Sequence, residues 1–330
     1  MALALKHVLA AASKKATAST LLTLTSAFLA VLVQALALLV LLLRNNFVHT
    51  AKCHNSTVSQ GPLQKTQGSL SFKRVNTILM INDNERINEI NENLRLIEKK
   101  DSLTFGTDAY LLAAYLKARG TKTYAELGCG SGVISLLALS KKKCRHVYGI
   151  EVQKEIAEVA KRNAELNSLG ENFTVISDDL RNVKASDLGG EVDVVFSNPP
   201  YMKADGGKQN INEQKNISRH EIFGQIDDFC ACAKRLLKHG GDFYVVYRPD
   251  RLADLIFALK NNGLEPKKLT FIHKDTDTPP SLLIISAKKG GKGGLTVDKP
   301  VYIYKNGTNE YTSEYSKIYE SCKFGDENEK

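Results

Sequence analysis

Asn198-Pro199-Pro200-Tyr201 is the stretch whose residue types and order could do chemistry. It closes an apolar run, Val192-Asp193-Val194-Val195-Phe196-Ser197, and two prolines halt a strand because proline lacks a ladder donor and fixes φ. A residue before proline is pushed toward extended geometry, so Asn198 is expected at the carboxyl edge of a sheet. Such a turn presents an amide side chain, a backbone carbonyl and an aromatic ring together. Asn198 and the Pro199 carbonyl can both accept from an exocyclic amine, while Tyr201 can stack on a planar base. Alone, the tetrapeptide also fits an ordinary proline-rich turn, so its meaning depends on what accompanies it.

Three acidic stretches accompany it. Ala125-Glu126-Leu127-Gly128-Cys129-Gly130-Ser131-Gly132 joins a strand to a helix, and its glycines let backbone approach a ligand. The spacing is GxGxG, unlike the GxGxxG of dinucleotide sites, and Glu126 stands two residues before the first glycine. An acid so placed repels a pyrophosphate and suits a cationic ligand bearing an amine. Glu151 ends the next strand and can take both ribose hydroxyls, although an isolated glutamate there also reads as a solvated strand end. Asp178-Asp179 ends the third strand and could accept from an adenine amine. The six cysteines form no CxxC pair and no zinc-like spacing, so neither a metal nor a disulfide is expected.

The elements that must position these groups alternate strand and helix from Thr123 onward. Strands are expected at 123–127, 147–151, 173–177, 191–197, 242–247, 266–273 and 281–287, with helices at 132–141, 153–167, 225–238 and 250–262. This pattern argues an α/β fold with a Rossmann-like, seven-stranded sheet wound on both faces. The last two strands lack an intervening helix and should pair antiparallel. Ahead of the sheet, Ile87, Ile90, Leu94 and Ile97 show helical or mixed spacing. A further helix is expected at 109–117, capped by Thr107 or Asp108. Lys288-Lys289-Gly290-Gly291-Lys292 could touch phosphate, but reads slightly better as a flexible solvated hairpin loop.

The formal charge of +9 is unevenly placed. Of the 45 Lys and Arg, eight precede Met80 together with no Asp or Glu, leaving 37 basic against 36 acidic residues. The remainder is near neutral, so net charge says little about its partner. Residues 21–43 are an apolar run long enough for a transmembrane helix, and residues 44–79 look like a linker. Residues 1–79 are therefore expected to be an extension dispensable for catalysis. A misassigned start is favoured over a genuine anchor, with a targeting leader third. The expected domains are this extension, a catalytic domain over 80–320 and a charged tail over 321–330.

Together these stretches resemble the class I S-adenosylmethionine-dependent methyltransferases. Within that class the chain is most similar to the bacterial tRNA (adenine-N6)-methyltransferases that act beside the anticodon of a valine tRNA. The resemblance is carried by Glu85-Arg86-Ile87, Phe105-Gly106-Thr107-Asp108-Ala109, Glu126–Gly132, Gly149-Ile150-Glu151 and Asn198–Tyr201. It continues through Arg219-His220-Glu221, Arg248-Pro249, Lys289-Gly290-Gly291, Tyr302-Ile303-Tyr304 and Ile318-Tyr319, so it covers about residues 80–320. It implies that S-adenosylmethionine is held by Glu126, Gly128, Gly130 and Glu151, with Asp179 at its adenine and Phe105 and Thr107 closing its methionine end. It implies that the target adenine stacks on Tyr201, with its amine held by Asn198 and Pro199 and with Pro200 fixing the turn. Lys203, Arg219 and His220 read equally as an RNA-facing loop or as an exposed basic loop leading into a helix start. No metal is implied, and a cytoplasmic monomer is expected, membrane-anchored only if 21–43 inserts. Rival readings are a glutamine N5-methyltransferase of release factors, a DNA adenine methyltransferase, and an inactive RNA-binding or membrane-tethered scaffold.

Overall fold

The computed structural model describes residues 81–100, 106–200 and 224–324. All lie in one of the chain's two units, residues 68–330. The apolar run 21–43, Phe105, Tyr201, Lys203, Arg219 and His220 lie outside the described residues. Among the described residues no helix is long and apolar enough to cross a membrane.

An antiparallel hairpin comes first, β1 (Glu85–Asn91) with β2 (Leu94–Lys99). This corrects the helical or mixed reading of Ile87 to Ile97, for two physical reasons. Asn91 Oδ1 accepts from the Asn93 amide at 2.9 Å, a local turn that reverses the chain. The open edge of β2 is then satisfied by side chains distant in sequence. Asn163 accepts from Ile97 N at 2.6 Å and donates to its carbonyl at 3.2 Å. Asn167 does the same for Arg95, at 2.9 and 2.7 Å.

Helix α1 (Thr107–Tyr115) is buried from Ala109 to Tyr115. Its N-cap is Gly106 and it carries no side-chain cap, so neither Thr107 nor Asp108 caps it as expected. Lys143 serves its other end: the buried ammonium donates to the carbonyls of Ala113, Ala114 and Leu116, each at 2.8 Å. A cation at a helix C-terminus meets both the orphan carbonyls and the helix dipole.

The sheet is built from β3 (Thr123–Leu127), β4 (His146–Ile150), β5 (Phe173–Ile176), β6 (Val192–Ser197), β7 (Leu237–Tyr247), β8 (Leu264–His273) and β9 (Pro280–Lys289). Among the described residues two short strands, β10 (Thr296–Val297) and β11 (Val301–Tyr302), bring it to nine where seven were expected. The spatial order is β10-β8-β9-β7-β6-β3-β4-β5, with β11 also paired to β8. From β5 to β7 all pairings are parallel, whereas β9 runs antiparallel to both β7 and β8. The chain winds outward from β3 to β5 and then returns to place β6 on the other side of β3. That reversal makes a switch point between β3 and β6, where open α/β sheets bind ligands.

Alternation along the strands explains two cores. Tyr124, Val194, Phe196, Tyr244 and Val246 face one layer, which includes α1, α2 (Val133–Ser140), part of α3 (Lys154–Leu166) and α6 (Ser313–Ser321). Ala125, Val195, Phe243 and Val245 face the other, beneath α4 (Ile226–Leu236) and α5 (Leu252–Asn261). Lys288 and Lys289 belong to β9 and pair with Asp242 at 2.8 Å and Glu191 at 3.3 Å, so they are not a free loop. At the C-terminal end Cys322 is fully buried and the rings of Phe324 and Tyr115 meet at 5.0 Å. The chain therefore stays packed on the core through 324, past the expected start of a tail at 321.

Candidate active site at the carboxyl ends of the parallel strands

Four parallel strands deliver their ends to one cleft of about 290 Å³. Gly128 comes from the loop after β3, Glu151 follows β4, Asp178 and Asp179 follow β5, and Asn198 and Pro200 follow β6. Ile150, Leu180 and Phe229 supply an apolar floor and wall. The volume lies at the small end of the range for organic ligands, and a mostly apolar lining with a few convergent polar groups is typical of such sites.

Gly128, Gly130 and Gly132 all have positive φ, at 68°, 54° and 84°. At Gly132 space is limiting as well, since a Cβ would stand 2.8 Å from Phe173 Cε1. Gly149 in β4 is similarly pressed, with a Cβ 2.8 Å from both Cys129 Sγ and the Phe173 ring. The loop is thus laid tightly over β4 and β5, and Cys129 fills the gap that Gly149 leaves.

Glu151 is buried and holds that loop. One carboxylate oxygen accepts from Gly130 N at 2.9 Å and the other from Gln153 N at 2.9 Å. It still lines the cleft. Asp179 lines it too, but its carboxylate is engaged by Arg181, whose Nε lies 2.9 Å from both oxygens. That guanidinium holds the Asp179 carboxyl below its ordinary value. An adenine amine at Asp179 would share the carboxylate with Arg181.

Glu126 stands apart from the other acids. It is only 1% exposed and does not line the cleft. Its position in β3 matches Tyr124, so its side chain points to the sheet face under α2 rather than off the strand end. There Glu126 Oε2 accepts from Ser135 N at 3.1 Å and from the Ser135 hydroxyl. A carboxyl oxygen accepting from an amide of the first turn of α2 replaces a side-chain cap that Gly132 cannot provide. Burial pushes the Glu126 carboxyl up to about 8, against the two Ser135 bonds and with a smaller contribution from Glu151.

Asn198 leaves β6 as the proline rule requires, and its Nδ2 donates to Asp108 Oδ2 at 3.1 Å. The other Asp108 oxygen accepts from Ala109 N at 2.9 Å. Thr107 is exposed at the start of the same helix, near the Tyr315 side chain. Asp108 and Phe229 are the groups sequence reasoning did not bring to the site. Phe-Gly-Thr-Asp was visible as a stretch, but the contact to Asn198 spans 90 residues. Among the described residues no His, Cys, Asp or Glu cluster could hold a metal ion, and five cysteines are free and buried.

The cleft fits S-adenosylmethionine by its donor set. It offers carboxylates for hydroxyl and amine donors, glycine backbone that leaves room for a close approach, and apolar side chains for a purine.

Comparison with known proteins agrees with this geometry. The family model described as methyltransferase small domain matches residues 100–256. A tRNA1(Val) (adenine(37)-N6)-methyltransferase of Phocaeicola vulgatus is 28% identical over 204 residues, covering 61% of this chain and 80% of that protein. A protein of the same name from Porphyromonas gingivalis is 25% identical over 229 residues, covering 66% and 88%. Among solved structures, one described as a predicted O-methyltransferase from Agrobacterium tumefaciens superposes with a TM-score of 0.55 at 23% identity. It covers 67% of this chain and all of that one, and so supports the fold.

Proposed function

Residues 100–256 match the family model described as methyltransferase small domain, and from that premise we propose that the chain methylates the exocyclic N6 of an adenosine in tRNA. The adenosine next to the anticodon of a valine tRNA is the favoured target, as the names of the curated relatives suggest. The observation that carries this reading is that Asn198 and Pro200 line the same cleft as Gly128 and Glu151. The amine-holding turn and the cofactor-holding loop therefore open onto one space.

When bound, S-adenosylmethionine supplies an electrophilic methyl group on a sulfonium. Glu151, Gly128 and Gly130 would hold its ribose and methionine parts, with Asp179 near its adenine and Phe105 and Thr107 at its methionine end. Glu126 would act mainly by fixing the start of α2 beneath the loop. Asn198 Oδ1 and the Pro199 carbonyl would accept the two hydrogens of the target amine, and Tyr201 would stack on a base turned out of its strand. Holding both amine hydrogens localises the nitrogen lone pair, so positioning supplies most of the catalysis. Lys203, Arg219 and His220 would meet the RNA backbone. Residues 80–320 would form this catalytic domain, working as a cytoplasmic monomer, with 1–79 as an extension outside the chemistry.

The test is direct. The full chain is incubated with S-adenosylmethionine and either unmodified tRNA or a release factor, and the digested nucleosides and peptides are weighed by mass spectrometry. N6-methyladenosine is expected; unmodified tRNA alongside N5-methylglutamine in a release factor would favour the rival reading.

A further inference from the structure

The amide of Asn198 can face its substrate in two ways, and only one presents an acceptor. A carboxamide turned by 180° exchanges its oxygen for an NH₂, which would meet the target amine donor to donor. Something must therefore fix the flip, and rotation about the last side-chain bond is otherwise soft.

We propose that Asp108 is a positioning residue that fixes this flip. The proposal rests on the function put forward above. Asp108 Oδ2 lies 3.1 Å from Asn198 Nδ2. A carboxylate offers acceptors only, so the nitrogen of the amide must face Asp108 and the oxygen must face elsewhere. Asp108 does not line the cleft, whereas Asn198 does, so the contact acts through Asn198 and not on a bound molecule. The carboxylate is itself held. Its Oδ1 accepts from Ala109 N at 2.9 Å, on a helix whose residues 109–115 are all buried. Gly106 leaves it room: a Cβ there would stand 2.5 Å from Asp108 Oδ1. Helix α1 thus delivers one oxygen, rigidly, to the amide that follows β6. The arrangement ties the Phe-Gly-Thr-Asp stretch to Asn-Pro-Pro-Tyr by a chemical requirement of the acceptor.

Three outcomes distinguish this role from simple packing. Single-turnover methylation of tRNA is measured for wild type, Asp108→Ala, Asp108→Asn, Asn198→Ala and the Asp108→Ala/Asn198→Ala double variant. Affinity for S-adenosylmethionine is read by titration. Asp108→Ala should slow transfer by about 10- to 100-fold, the scale of a misplaced reacting group, with unchanged cofactor affinity. Asp108→Asn should fall between, because its own amide can either accept from Asn198 or donate to it, and so permits both flips. In the Asn198→Ala background, Asp108→Ala should cost nothing further. Wild-type transfer by Asp108→Ala would overturn the inference. So would a further loss in the double variant, or a loss explained by weakened cofactor binding. Failure of the wild-type chain to methylate tRNA would instead overturn the function itself, which keeps the two ideas separable.

Discussion

Replacing Glu126 by glutamine should change how stability depends on pH more than it changes the fold. The carboxyl has an ordinary value of 4.5 and is raised by burial to about 8 in the folded protein. Between those values the folded state keeps a proton that the unfolded chain has released, so stability falls as pH rises through the window. At about 1.4 kcal/mol per pH unit, the wild type should lose on the order of 3–4 kcal/mol between pH 5 and pH 8 from this group. Glutamine is neutral throughout and keeps an oxygen to accept from Ser135, so this contribution vanishes. Other titrating groups are common to both proteins and cancel in the comparison. Glu85, lowered from 4.5 to about 2 by Arg162, contributes stability that is lost as pH falls from about 4.5 toward 2, below the pH range compared. His146, lowered by burial, acts with the opposite sign and equally in both. Urea unfolding at pH 5, 6.5 and 8 reads the effect. The variant should gain on the wild type steadily with pH, and parallel stability profiles would refute the placement of Glu126.

Asn198→Ala should reduce methyl transfer by about 10²–10³, the scale for losing one oriented polar contact in a site, while cofactor affinity stays near wild type; parallel turnover and binding assays check both. Glu151→Ala should weaken S-adenosylmethionine binding by about 1.5–3 kcal/mol, as for hydrogen bonds to a charged group, and unchanged affinity by calorimetry would reduce Glu151 to a tether for the glycine loop. Lys143→Met should cost about 2–4 kcal/mol of stability, because three carbonyls at the end of α1 lose their shared donor. Chemical denaturation measures that loss, and a stability within 0.5 kcal/mol of wild type, roughly the scatter of neutral surface changes, would contradict the capping role.

What could be read from the sequence follows from where each contact closes. Strands β3 to β9 stand near their expected positions because each carries an apolar run, buried on both faces in the central parallel strands β3, β4, β6 and β7. Asn198 and Glu151 were legible because a strand end followed by a proline or a turn projects its residue toward the ligand edge. Glu126 looked equivalent to Glu151, but it sits inside its strand and its parity turns it under α2. The hairpin of β1 and β2 was not legible, because Asn163 and Asn167 supply the partners that its edge lacks from more than 60 residues away. Strands β10 and β11 are two residues each, too short to carry a period. The contact between Asp108 and Asn198 exists only once the helix and the strand are packed together.

The central claim is that Asn198, opening onto the cofactor cleft, directs methylation of an adenosine in tRNA. Nucleosides of valine tRNA, prepared from cells lacking this chain, test it most directly when wild type or Asn198→Ala is restored. The account predicts that N6-methyladenosine beside the anticodon disappears on deletion, returns with wild type and does not return with the variant. Persistence of the modification in the deleted cells, or its full return with Asn198→Ala, would contradict it.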